Sequence, residues 1–320
     1  MAPDQRPLRT KHAWWRVGLW GLLILVLVAT ILAAGYGWHL TTSYNKAQKL
    51  SSAEAFPAQH ERPSPIDQPG DTSKEPVNIL LLGSDENFAP GQDAVLSRGS
   101  RSDTIMLMNI SADRKSVNLL SIMRDNWVEI PGHGMNKINA AFSYGGPALT
   151  VASVEKLLDV RINHIALIDL DGLKGITDAV GGVTVETPRG EYSLNGEEAL
   201  DFVRDRSFPD GDYMRVHNQQ LFLLALSNKI LSSDVLLNPE TIRNFITAAA
   251  PYVTVDENLS LSVLITLGLD LGRDYVVNGF ISPNLGIGVE DGQSVVYPDY
   301  AGLAEVSRHL REDTLQDYQS

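Results

Sequence analysis

The stretch TIMLMNISADRKSVNLLSIMRD, residues 104–125, decides the fold. It holds two seven-residue apolar runs, Thr104–Ile110 and Ser116–Ile122, each typical of a strand buried on both faces. The intervening Ser111-Ala112-Asp113-Arg114-Lys115 suits a hairpin turn. Upstream, VNILLLG (77–83) is a third run of the same kind. Downstream, Leu149, Val151, Val154, Leu157 and Leu158 have helical spacing from Pro147, a residue suited to a first helical turn. HIALIDL (164–170) reads as a strand and 172–180 as a helix stopped by Gly181-Gly182, after which GVTVET is a strand. A short helix is expected over Glu197–Phe202 and a long one over Tyr213–Leu231, with Asp212 as its N-cap. Helices near 239–249 and 258–271, strands at 275–281 and 294–298, and a helix over 300–311 complete the pattern. This alternation predicts one α/β domain over 77–320, a mixed sheet between helical layers.

The N-terminus carries a different signal. Arg6, Arg9, Lys11 and Arg16 face a single acid, Asp4, and Val17–Trp38 holds no charge. About 22 residues at 1.5 Å each span roughly 33 Å, enough for a hydrocarbon core of ~30 Å. Trp14, Trp15, Trp20, Tyr36 and Trp38 lie near its ends, where amphipathic rings favour the headgroup zone. The expectation is a cytoplasmic tail over 1–16 and a membrane-spanning helix over 17–39, with the remainder outside the cell. The competing reading is a cleavable signal peptide cut near Ala33-Ala34-Gly35, but its apolar core would be only ~7–15 residues. Residues 40–76, rich in Ser, Ala, Gln, Pro and charge, read as a flexible stalk.

Composition limits the function classes. The 320 residues include 26 Lys and Arg against 39 Asp and Glu, a net charge of −13, and no cysteine. The expected outer domain therefore holds together without disulfides. Its general field repels nucleic acid and other polyanions, so any anionic ligand must meet a local cation cluster.

Three groups supply candidates. Gly83-Ser84-Asp85 ends one strand and Arg101-Ser102-Asp103 opens the next. If those strands are antiparallel neighbours, Asp85 and Asp103 share a sheet edge and either hold Mg²⁺ or merely cap loops. Arg124-Asp125 ends the third strand and is followed, across the Gly-rich IPGHGMN, by Lys137-Ile138-Asn139. Arg124 and Lys137 suit phosphate oxygens; the other reading is a surface ion pair of Arg124 with Asp125 or Glu129. Arg204-Asp205-Arg206, Asp210, Asp212, Arg215 and Gln219 form the densest group. It is either a pyrophosphate grip at a helix N-terminus or a solvated charge network. No P-loop, zinc helix, nucleophile elbow or cysteine nucleophile is present.

Together these segments resemble the LytR-CpsA-Psr family of bacterial cell-wall proteins, in order through residues 77–231. The carrying motifs are VNILLLGSDE, RSDTIMLMNI, LLSIMRDNWVEIPGHGMNKINAAFSYGG, IALIDLDGLKGITDAVGGVTVE and LNGEEALDFVRDRSFPDGDYMRVHNQQ. The resemblance implies an α/β/α sandwich with an apolar pocket for a polyprenyl chain. It also implies Mg²⁺-dependent transfer of a phosphorylated glycopolymer from a polyprenyl-pyrophosphate carrier to peptidoglycan, at the cell membrane. Carried over by residue, it implies Asp85 and Asp103 as metal ligands and Arg101, Arg124, Arg204, Arg206 and Arg215 around the pyrophosphate. Gln219 stands beside them, and Lys137 and Asn139 match a KIN motif. Two positions depart: Met123 replaces a proline, and Asn218 replaces an arginine in R-x-x-R-Q-Q, where it is expected to face the phosphates. A hydrolase using water, or a non-catalytic receptor for the lipid-linked glycan, are the alternatives.

Overall fold

The computed structural model describes residues 35–65, 75–84, 102, 104–169, 172–187, 189–205, 211–236, 238–271 and 274–318. It divides into two units, Met1–Ser43 and Tyr44–Ser320. In the first, residues 35–43 are helical. No helix among the described residues is long and apolar enough to cross a membrane. Positions 1–34, and with them most of the expected 17–39 span, lie outside those residues.

The second unit is built on a seven-stranded mixed sheet. Its strands are β1 (Gln48–Leu50), β2 (Val77–Ser84), β3 (Thr104–Ile110), β4 (Ser116–Ile122), β7 (His164–Asp169), β10 (Val253–Asp256) and β11 (Val276–Ile281). Their order is β1-β10-β7-β2-β3-β4-β11. β2, β3 and β4 are antiparallel neighbours, whereas β2–β7, β4–β11 and β1–β10 are parallel. Both predicted apolar runs are in place, joined by the predicted hairpin.

Helices cover both faces. On one lie α1 (Ser52–Ala55), α2 (Ala140–Leu158) and α9 (Tyr300–Arg311), contributing Ala55, Val151, Val154, Leu158, Val306 and Leu310 to a core with Leu80, Leu107 and Leu120. On the other lie α3 (Leu173–Ala179), α4 (Gly196–Arg204), α5 (Gly211–Ile230) and α8 (Leu261–Leu271). Their Ile176, Ala199, Phe222 and Leu267 pack with Met106 and Leu119. Small hairpins β5 (Trp127–Ile130)/β6 (Gly134–Lys137), β8 (Val183–Thr187)/β9 (Gly190–Leu194) and β12 (Asn284–Glu290)/β13 (Gln293–Pro298) lie outside the main sheet. The remaining helices are α6 (Ser233–Leu236) and α7 (Pro239–Ala249).

Local chemistry accounts for the helix limits. Pro147 does begin a helical run, because Gly145 and Gly146 leave helical geometry, Gly146 at φ 62, ψ −154. Gly181 and Gly182, at φ 80 and 89, stop α3 as the sequence predicts. α5 starts at Gly211, so Asp212 lies inside the helix and not at its cap.

The stalk is the main correction. Residues 44–65 belong to the domain: β1 pairs with β10 (Lys49 opposite Val255), and Leu50 and Ala55 are fully buried. Arg62 donates from Nε and Nη2 to Glu155 on α2, at 3.0 and 2.7 Å to Oε1. Both side chains are almost completely buried. A polar composition read as disorder is instead held by partners about a hundred to two hundred positions away.

β10 ends in a fully buried carboxylate, Asp256. It accepts from the backbone N–H of Ile165 at 3.0 Å, of Asn258 at 3.0 Å and of Leu259 at 3.1 Å, and His164 Nδ1 lies 3.2 Å away. Burial by itself raises this carboxyl's pKa, but the hydrogen bonds from His164 and the backbone outweigh it and hold the group below its ordinary 3.8. A carboxylate depressed in the native state stabilises the fold above its unfolded pKa, and that contribution is lost as pH falls through the native value. Thermal midpoints should therefore drop steeply below pH 3.8. Asp256→Asn should lose about 2 kcal/mol at neutral pH and flatten this acid limb. An unchanged acid limb in calorimetry at several pH values would contradict the assignment. The same burial, with Asp256 nearby, pushes the Tyr44 hydroxyl up to about 12.

Candidate functional site

The best-defined part of the site lies where β4 ends. After Ile122 the chain turns through Arg124 and Asp125 into the β5/β6 hairpin, whose Trp127 faces Lys137. The Gly-rich turn is tight, with Gly132 at φ 77 and Gly134 at φ 73. This brings Lys137 Nζ to 3.0 Å from Asp125 Oδ1, while Arg124 Nε stands 3.6 Å from Oδ2. One carboxylate is thus shared by two cations. Glu129, the other candidate partner of Arg124, instead pairs with Lys156 at 2.7 Å.

Asn139 is buried, and its backbone N–H donates to the Arg124 carbonyl at 3.2 Å, while Ile138 N–H donates to Asn126 O at 2.9 Å. The KIN segment therefore locks the backbone that presents Arg124. Val296 N–H of β13 adds a bond to Asp125 O at 2.9 Å. His133 stacks on Tyr144, ring centroids 4.7 Å apart.

The second group is partly described. Asn195 caps α4, accepting from Glu197 and Glu198 N–H at 3.0 Å each, and Glu198 returns a bond to Asn195 N–H. This fixes a helix whose last turn carries Arg204, exposed to solvent. Asn218 on α5 is buried, 6% exposed, and its Nδ2 lies 3.5 Å from the Phe202 carbonyl in that last turn. Asn218 thus stands against the end of α4, the turn that carries Arg204. Phe202 is one of the terminal residues whose carbonyls lack helical partners, and the amide supplies one.

Asp85, Arg101, Asp103 and Arg206 lie outside the described residues, as do the side chains of Arg215 and Gln219. The condition attached to Asp85 and Asp103 is met: β2 and β3 are antiparallel, with Gly83 opposite Thr104. Among the described residues no three His, Asp or Glu side chains converge as metal ligands. A groove of about 690 Å³ between the β8/β9 hairpin and the second half of α5 is lined by Asp178, Ser193, Asn228 and Lys229. Its Asp178 is already engaged by Gly196 N–H at 2.7 Å.

The mixed sheet with helices on both faces defines an α/β/α protein, and the shared-carboxylate cluster sits at the end of its β4 strand. The LytR_cpsA_psr family model matches residues 40–278, and the chain belongs to the LytR-CpsA-Psr family. The match begins well before Val77, in keeping with the structured 44–65 segment. The chain is 30% identical over 310 residues to the polyisoprenyl-teichoic acid–peptidoglycan teichoic acid transferase TagU of Enterococcus faecalis, covering 92% of this chain and 95% of that one. Among solved structures it is similar to TagT bound to LIIa-WTA, at 26% identity and TM-score 0.61 over 81% of this chain and 98% of that one. It is also similar to TagV of B. subtilis, at 28% and 0.61 over 78% and 100%.

Proposed function

We propose that the protein is a phosphotransferase that moves a phosphorylated glycopolymer from a polyprenyl-pyrophosphate carrier to peptidoglycan. The observation that carries this reading is the Arg124–Asp125–Lys137 cluster, set at a sheet end in a chain similar over nearly its whole length to a teichoic acid transferase. Arg124 and Lys137 meet at one carboxylate, so two cations stand where an incoming anion would be met, and the Arg124 backbone is already fixed by the Asn139 N–H.

In the reaction, a sugar hydroxyl of peptidoglycan attacks the glycan-linked phosphorus. The bond from that phosphorus to the bridging oxygen breaks, and polyprenyl monophosphate leaves carrying the balance of one proton. Arg124 and Lys137 would orient the phosphate oxygens, with Arg101, Arg204, Arg206, Arg215 and Gln219 completing the grip. The β2–β3 register, which starts the Asp85 and Asp103 segments from one sheet end, fits a Mg²⁺ site on those two carboxylates. Mg²⁺ bound there would neutralise charge on the two phosphates. The 17–39 segment would anchor the protein in the cell membrane, with its N-terminus cytoplasmic and the domain outside. With residues 44–65 part of the domain, the chain between such an anchor and the domain would be shorter than residues 40–76.

The test incubates purified protein with labelled polyprenyl-pyrophosphoryl glycan, Mg²⁺ and peptidoglycan. Arg124→Ala and Arg215→Ala should each slow transfer about 10- to 100-fold, the equivalent of one charge-assisted contact. Equal and negligible transfer by wild type and Arg215→Ala would sink the reading. Free phosphorylated glycan without a peptidoglycan adduct would point to hydrolysis.

A further inference from the structure

At the sheet end from which Arg124 emerges, several buried hydroxyls stand without partners. Thr104, first residue of β3, is 4% exposed, and Ser121, one residue from the end of β4, is 7% exposed. Ser102, two positions before Thr104, is 1% exposed. None of the three side-chain oxygens has a hydrogen-bond partner among the described residues. Buried polar groups are overwhelmingly hydrogen-bonded in folded proteins, so three such oxygens at one end of a sheet need a cause.

The register shows how two of them are placed. Met106 faces Leu81 on one side and Ser121 on the other. Side chains two apart on a strand share a face, so Thr104 and Ser121 are diagonal neighbours on the face of Met106. This is the face under α5, where Met106 packs with Phe222 and Leu226. The residue opposite Thr104 on β2 is Gly83, so no side chain stands beside the Thr104 hydroxyl on that strand. The apolar face gives way here to the segment that presents Arg124.

We infer that Thr104 and Ser121 are ligand-binding groups whose hydroxyls donate to phosphate oxygens of the polyprenyl pyrophosphate, at the junction of apolar chain and charged headgroup. The inference rests on the transferase reading above. A hydroxyl suits that margin because it is a compact, neutral donor, whereas an arginine or lysine buried there would carry a heavy desolvation cost. Its lack of a partner in the free protein becomes a hydrogen bond when the anion arrives. Binding and stability should then respond in opposite directions to loss of the hydroxyl.

The experiment uses the full chain in lipid nanodiscs and measures melting temperature and the Kd for geranylgeranyl pyrophosphate, with geranylgeraniol as the phosphate-free control. Thr104→Val and Ser121→Ala should each weaken pyrophosphate binding about 10- to 100-fold, the worth of a hydrogen bond to a charged group. Their melting temperatures should be unchanged or raised, and Thr104→Ser should bind like wild type. Wild-type affinity in Thr104→Val and Ser121→Ala overturns the inference and leaves the transferase reading standing. Binding by Thr104→Ser as weak as by Thr104→Val also overturns it, since packing would then be the cause. Failure of wild type to prefer the pyrophosphate over the alcohol overturns both.

Discussion

Glu155→Ala should destabilise the domain by about 3–5 kcal/mol, because it leaves the Arg62 guanidinium buried without its counter-ion. The pair is held by Nε and Nη2 of Arg62, and Glu155 Oε1 also accepts from the Ile162 N–H at 2.9 Å. Arg62 further donates to the Ile162 carbonyl and stands 4.6 Å from the Phe56 ring centroid. One substitution therefore breaks the clamp that fixes residues 56–62 to α2 and to the entry of β7. At about 2–4 °C per kcal/mol for a domain of this size, the thermal midpoint should fall by roughly 10 °C. Urea denaturation of the two proteins checks it, and a loss below about 1 kcal/mol would show that the pair is not an essential tie. By the same logic a truncated chain starting at Val77 should not fold stably. It lacks β1, the buried Leu50 and Ala55, and Arg62.

Asn118→Ala should cost about 3 kcal/mol. Four asparagines on adjacent strands, Asn78, Asn109, Asn118 and Asn278, lie in register across the sheet. Asn109 Nδ2 donates to Asn78 Oδ1 at 3.0 Å, Asn118 Nδ2 to Asn109 Oδ1 at 3.1 Å, and Asn278 Nδ2 to Asn118 Oδ1 at 2.9 Å. Asn118 is fully buried in mid-ladder, so truncating it strips Asn109 of a donor and Asn278 of an acceptor, each orphan costing about 1–3 kcal/mol. Asn278, at the half-buried end, should cost only about 1 kcal/mol on the same substitution. Chemical denaturation of both variants tests the gradient, and equal losses would show that the ladder does not act as a connected row.

These ties explain which parts of the molecule were legible in the chain. The three runs 77–83, 104–110 and 116–122 announced central strands because continuous apolar sequence is what burial on both faces requires. Pro147 and Gly181-Gly182 act through their own backbone geometry, so their effects needed no tertiary information. The ion pair of Arg124 with Asp125 was foreseeable from charge and adjacency, whereas the approach of Lys137 to the same carboxylate needed the β5/β6 hairpin.

The sequence by itself determined the α/β alternation, the central strands and the family. All are local or short-range properties of the chain. Only the tertiary structure decided that 44–65 is part of the domain, that Asn218 ties α5 to α4, and that Asp125 is shared by two cations. It alone also revealed that the Thr104 and Ser121 hydroxyls are buried without hydrogen-bond partners among the described residues. Each depends on a contact between positions distant in sequence, or on the absence of one, and no periodicity or composition encodes that.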